Sequence, residues 1–470
     1  MFQVITKKNF KMILNIKKTL LLTVMSFSVT AVTAQNARSG YFVDDYTYRF
    51  QMNPAIRNSK NFVSMPGLSN FNISENGNLH LTDVLYNIDG KTTTFLNPGV
   101  NASEMLDKIE EKNRIGVNLK ANLLSTGFKA WGGYNTITVS VNGNADIMIP
   151  KAFFSLAKEG LTNKTYDIRN LGATSSAYAE IGLGHSHDIN SNLRIGATLK
   201  FLVGAGYAKT KINEANLSLG EDYWTVTTDA DLEASIKSLQ YKTELNDNTG
   251  HRYVNGVDVD NFGVNGYGLG LDLGVVYKTP VKGLTVSAAV LDLGFINWKN
   301  NMVASTNGVK TVNTDRYTFE PNDNAENGPT FDDEWDKLRD DLSAIYELED
   351  MGDKGSITRA LNATVNIGAQ YDLPFYNRLN LGLLNTTRIS GEYTWTDFRL
   401  SANIAPCKIF SASVNGGMGT FGASFGWMLN LHVTGFNFFV GSDHTPWKLA
   451  KQGVPLSSNA SLNLGMNFLF

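Results

Sequence analysis

Along residues 114–123 apolar and polar side chains alternate without exception. Ile115, Val117, Leu119, Ala121 and Leu123 hold one parity, and Arg114, Gly116, Asn118, Lys120 and Asn122 the other. Successive side chains of an extended chain point to opposite faces, so this period of two predicts a strand with one apolar side. The split recurs over 192–207. Leu193, Ile195, Ala197, Leu199, Phe201, Val203, Ala205 and Tyr207 stand against Arg194, Gly196, Thr198, Lys200, Gly204 and Gly206, and Leu202 alone intrudes on the polar parity. In 266–277, Tyr267 and Tyr277 cap an aliphatic row of Leu269, Leu271, Leu273 and Val275, opposite Gly266, Gly268, Gly270, Asp272 and Gly274. Further alternations run over 361–371 and 398–404.

These runs reach the roughly 9 to 11 residues that a tilted strand needs to cross a bilayer, against the five or six of an ordinary soluble strand. Beyond the N-terminal leader no stretch approaches about 18 consecutive apolar residues, which excludes transmembrane helices there. The pattern therefore predicts an all-β transmembrane antiparallel up-and-down β-barrel of about 14 strands, within a range of about 12 to 16, with aromatic rings at the membrane interfaces. The parity rule then turns Arg114, Lys120, Glu180, Arg194, Lys200 and Asp272 into the lumen, because a cation facing lipid at mid-bilayer costs about 2 to 4 kcal/mol. Asp292 and Glu392 are further candidate partners for the lumenal cations.

The chain's last residues repeat the pattern. Leu462, Leu464, Met466, Phe468 and Phe470 share one face, so the sequence ends on an aromatic. This ending resembles the terminal strand that barrel-assembly machinery recognises, which makes Phe468 and Phe470 the candidate assembly signal.

Non-strand segments are few. The spacing predicts short amphipathic helices at 103–112 and 150–159, and an acidic one at 331–350 within a long external loop at 300–360. Five lysines followed by an apolar run and Ala31-Val32-Thr33-Ala34 form a secretory signal peptide over 1–34, with cleavage between Ala34 and Gln35. Export to the outer membrane of a Gram-negative bacterium follows. Without the leader's five lysines the chain holds 36 basic and 44 acidic residues, a net charge of −8, which disfavours nucleic acid as a partner. The single cysteine, Cys407, excludes an intramolecular disulfide framework and is expected to be buried or lumenal.

Catalytic and metal signals are weak. His185 and His187 share a strand face but have no third ligand in sequence, and Asp443-His444 beside Ser442 are strand neighbours expected to point apart. Residues 257–263 read as a polar turn rather than a calcium loop. No phosphate loop or nucleophile elbow is present, so no enzyme activity, cofactor or metal is expected.

With the barrel argued, the segment Tyr46 to Ala55 with its Asn53-Pro54-Ala55 turn, followed by a first strand near 62–73, resembles the start of outer-membrane barrels related to the long-chain fatty-acid transporter. Residues 268–277 and 291–298 resemble a Bacteroidota outer-membrane family of unknown function within that group. The resemblance implies a hatch-like lumenal segment at 35–60 inside a barrel formed by 61–470. It also implies passive transport of small hydrophobic molecules through a plugged lumen. The alternative is a non-transporting barrel that binds or anchors a protein partner in secretion or envelope assembly. The expected partners are outer-membrane lipid, the assembly machinery, and either a hydrophobic ligand or an envelope protein.

Overall fold

The computed structural model describes residues 37–64, 69–88, 90–159, 164–219, 224–246, 250–314, 347–446 and 459–470. Fourteen wall strands close into an antiparallel barrel. Strand β1 is split into Phe62–Ser64 and Asn70–Gly77, where the sequence suggested one run. Then follow β2 (Lys112–Ala130), β3 (Gly133–Pro150), β4 (Gly172–Asp188), β5 (Leu193–Leu219), β6 (Gly266–Lys278) and β7 (Leu284–Trp298). The second half holds β8 (Ala363–Asp372), β9 (Leu379–Ile389), β10 (Trp395–Cys407), β11 (Phe410–Gly419), β12 (Gly422–Val433), β13 (Phe436–Ser442) and β14 (Ala460–Leu469). Each pairs with the next, and β14 closes on β1 through Phe62↔Leu469 and Phe71↔Leu464. Asn61 and Phe470 exchange backbone hydrogen bonds of 3.0 and 3.1 Å across this seam.

The end that carries Asn61 and Phe470 has only short turns, at 131–132, 189–192, 279–283, 373–378, 408–409 and 434–435. The opposite end carries the long excursions, as in outer-membrane barrels, where turns are periplasmic and loops external. On that loop side Trp224–Ile236 extends the wall above β6, pairing with β5, Asn301–Ser305 and Lys310–Thr314. A hairpin of Leu239–Leu245 and Arg252–Val259 stands beside it.

Much of the wall follows the alternation. Leu199 is 44% exposed on the outside while Lys200 is 3% exposed inside. Contiguous aliphatic rows on the outer surface of a closed barrel are a lipid-facing belt. Among the described residues no helix is long and apolar enough to cross a membrane.

Several expectations need correction. A bulge in β5 at Ala205 flips the parity, so Tyr207 turns inward and stacks on Trp298 at 5.8 Å. A second bulge puts Leu291 and Asp292 both opposite Asp272, with Asp292 at φ 60° and its N–H donating to Asp272 Oδ1 at 2.7 Å. Cys407 is exposed at the end of β10 beside a two-residue turn, not buried. The helix expected at 103–112 is confined to Ala102–Leu106, while that at 150–159 forms as Lys151–Glu159. Of the acidic helix at 331–350, residues 331–346 lie outside the described residues, and its last two belong to the strand Glu349–Asp353. Val257 to Val259, expected in a polar turn, close the hairpin strand Arg252–Val259. Ala34 and Gln35 lie outside the described residues.

Candidate functional site

Residues 37–60 lie within the barrel and touch wall strands around most of its circumference. They form two short turns of 3-10 helix, Arg38–Gly40 and Thr47–Gln51, which need little length and leave many side chains free to point outward to the wall. Tyr41, Phe42, Tyr46, Tyr48, Phe50 and Met52 pack with Leu384, Met428 and Phe439, apolar residues on the lumenal parity of β9, β12 and β13. This apolar lining escaped the parity reading because each of Leu384 and Phe439 follows a like residue on the outer face. A doubled apolar pair on a wall strand was the available signal.

Polar contacts fasten the segment at both ends. At the turn side, Asn53 Oδ1 accepts from the Ala55 N–H at 3.0 Å, and its Nδ2 donates to the carbonyls of Val275 and Ala288 at 3.2 and 3.3 Å. The Asn53-Pro54-Ala55 turn sits against Gly196 and Gly274, where any Cβ would collide with it. Asp188 receives Arg57 at 2.5 Å and Arg194 at 2.7 Å, binding the exit of the segment to the wall. Toward the loop side, Asp443 accepts the backbone N–H groups of Arg38 and Ser39 at 3.0 and 2.7 Å, and the Ser39 hydroxyl at 2.6 Å. Arg38 Nη1 reaches Asp397 at 3.1 Å, and Arg399 bridges Asp397 and the Asp443 carbonyl.

Asp443 and His444 therefore do not point apart; both lie beyond the end of β13 and meet Arg38. Arg38 Nη2 stands 2.7 Å from His444 Nε2. Arginine only donates, so Nε2 is the acceptor and the imidazole is the neutral Nδ1–H tautomer. Burial, and after it the charges of Arg38 and Arg399, push the His444 pKa well below the ordinary histidine value, in keeping with this form. Ser442 Oγ faces Ser461 Oγ at 3.4 Å, and the lone pair a general base would use on Nε2 is already taken by Arg38.

Four of the six lumenal charges predicted from parity, Lys120, Glu180, Lys200 and Asp272, gather with Asp292 into one network. Lys200 Nζ lies 2.6 Å from Asp292, 2.8 Å from Asp272 and 3.8 Å from Glu180, and Lys120 reaches Glu180 at 3.6 Å. Arg114 donates across the lumen to the Thr394 carbonyl at 3.0 Å. Glu392 is exposed and joins no ion pair among the described residues. His185 and His187 stack at 6.0 Å near the turn-side end of β4, both on its exposed face. Among the described residues no group of three or more His, Cys, Asp or Glu is arranged for a metal ion.

Above the plugging segment opens a cavity of about 700 Å³, within the range of small-molecule sites. Arg38 and Met52 contribute to its floor, while Tyr178, Leu291, Trp298 and Leu361 belong to its walls. Arg169, Gly172 and Glu392 place its mouth at the loop side.

The profile of DUF5723, a family of unknown function, matches residues 54–443. No curated protein matches the chain. Among solved structures it is similar to the Pseudomonas putida toluene transporter TodX, at 9% identity and TM-score 0.38, over 94% of both chains. A TodX monoaromatic hydrocarbon channel variant gives 9% identity and TM-score 0.41 over 94% of this chain and 96% of the other. A Pseudomonas aeruginosa FadL homologue gives 11% and 0.34 over 93% and 98%. Likeness at this level carries no argument about cargo.

Proposed function

We propose that this chain, which belongs to the DUF5723 family of unknown function, passes small molecules across the outer membrane of a Gram-negative, by resemblance Bacteroidota, envelope. A solute enters from the loop side, rests in the lumenal cavity, and moves on when the segment 37–60 shifts. The observation that carries this reading is the cavity floor: it includes the N-terminal segment, held by side-chain contacts, rather than covalent wall alone. Leu291, Ile296, Trp298 and Leu361 give one apolar wall to a lining that is otherwise polar, against which part of a cargo can lie. The structural contacts that Ser442, Asp443 and His444 make support a non-catalytic reading.

The test traps the segment. Ser39 Oγ lies 3.5 Å from Asn415 Oδ1, so Ser39→Cys with Asn415→Cys on a Cys407→Ser background puts a thiol on the segment and one on the facing wall strand, to be joined directly or by a short bifunctional thiol cross-linker whose link a reductant cleaves. Proteoliposome swelling in solutes graded in polarity is expected for the reduced protein, lost on oxidation and regained on reduction. Absence of swelling in both states sinks the reading. It would favour a barrel that anchors an envelope protein without conducting, for which the specific support is the segment's buried ionic fastening at Asp397 and Asp443. Delivery by the barrel-assembly machinery through Phe468 and Phe470 belongs to either reading.

A further inference from the structure

The cavity's charge runs against that of the chain. Its lining holds seven lysines and arginines against only Asp292 and Glu392, whereas the chain beyond its leader is net acidic. Four of the seven are neutralised from behind: Arg38 by Asp397 and Asp443, Lys120 by Glu180, Arg169 by Asp167, and Arg359 by Glu233. The side chains of Arg388, Lys209 and Lys211 make no ion pair or hydrogen bond among the described residues, although Glu233 and Asp231 stand across the strand from Lys209 and Lys211, and the charge of Arg388 is felt at Asp146 and Asp292. Lys209 and Lys211 point into the lumen only because the bulge at Ala205 reverses the parity of β5 beyond it. The same wall is rich in amides, with seven asparagines in the lining, and Asn118 is buried there with its Oδ1 unpaired. An unpaired buried acceptor is destabilising until a donor meets it.

We infer that the cavity binds an anionic, polyhydroxylated solute of the size of an acidic disaccharide. Its carboxylate or other acid group meets Arg388, Lys209 and Lys211, and a hydroxyl donates to Asn118 Oδ1. Charge-assisted bonds to lysine and arginine select the acid over its neutral analogue. Leu291 and Ile296 then cover the apolar face that a sugar ring presents. This deepens the transport reading and rests on it only for the passage of the solute, not for its binding.

The experiment titrates the full exported chain, purified in detergent, with digalacturonate, maltose and decanoate, following tryptophan fluorescence, since Trp298 and Trp395 line the cavity. Digalacturonate is expected to bind, with affinity falling as salt is raised, because screening weakens contacts to partly exposed cations. Maltose and decanoate are expected to bind at least tenfold more weakly. Lys209→Gln with Lys211→Gln, and separately Arg388→Gln, should each weaken digalacturonate about tenfold while heat-modifiable gel migration shows the barrel intact. The proposal is overturned if maltose or decanoate binds as well as digalacturonate, if none of the three binds, or if the variants keep wild-type affinity. Binding of digalacturonate without its entry into proteoliposomes removes the transport reading and leaves the site. Entry of neutral solutes without binding of digalacturonate removes the site and leaves the transport reading.

Discussion

The ring of Phe42 occupies the space where a side chain on Gly382 would begin, so the plugging segment and strand β9 meet through a missing Cβ. A β-branched residue suits a strand backbone but not this contact. Gly382→Val should therefore leave the barrel inserted and heat-modifiable while expelling Phe42 and raising single-channel conductance. A variant as sealed as the wild type would show that Phe42 does not hold the segment in place.

Asp443 is the point where the segment's start is fixed, for it takes two backbone N–H groups, a hydroxyl and the Arg38 guanidinium. Breaking one side of a buried charge pair costs about 3 to 5 kcal/mol. Asp443→Ala is expected to expose the N-terminal segment to trypsin at Arg38 and Arg49 and to lower the thermal midpoint. Asp258 pairs with Lys242 at 3.0 Å on the exposed hairpin, both side chains solvated, so Asp258→Ala should change either measurement little. Equal protease resistance in the two variants would remove Asp443 from this role.

Phe468 lies on the outer face of β14, 6.1 Å from Phe436, and Phe470 ends the chain at the β14–β1 seam. Phe470→Asp puts a charge at that lipid-facing edge. Lower outer-membrane abundance and increased proteolysis are expected, while refolding of the purified variant from urea into detergent should remain complete. Wild-type abundance in cells would dismiss the assembly signal.

Much of the wall was legible because lipid imposes one rule on every strand: the aliphatic parity faces out, and Leu199 and Lys200 obey it. What escaped was wherever the rule is locally broken. Leu202 was visible as an intruder on the polar parity, yet only the structure shows it packed with Tyr207, Ile296 and Trp298 at the cavity wall. Tyr207 itself was misplaced because a bulge adds a residue without any composition signal. Asp443 and His444 read in sequence as strand neighbours, but the strand ends at Ser442, and their partner Arg38 is hundreds of residues away in sequence. The Asn53-Pro54-Ala55 turn was recognisable; its seat on Gly196 and Gly274 needed the register of β5 against β6.

The same register revises what the lumen tolerates at Lys200. From parity alone, Lys200→Leu would be expected to spare insertion and alter only passage, since it exchanges a lumenal cation for an aliphatic side chain. The structure instead places three carboxylates around this one ammonium, so the exchange leaves Glu180, Asp272 and Asp292 facing one another in a closed space. Loss of about 3 to 5 kcal/mol is expected for Lys200→Leu. Leu199→Arg, on the outer face, should cost about 2 to 4 kcal/mol for a different reason, the burial of a charge in lipid. Urea unfolding in lipid vesicles measures both, and adding Asp272→Asn with Asp292→Asn separates them. The pair should restore much of the stability lost in Lys200→Leu, because it removes the unpaired charges, and should do nothing for Leu199→Arg. If the two asparagines rescue neither variant, or rescue both alike, the lumenal network around Lys200 is not what stabilises this part of the barrel.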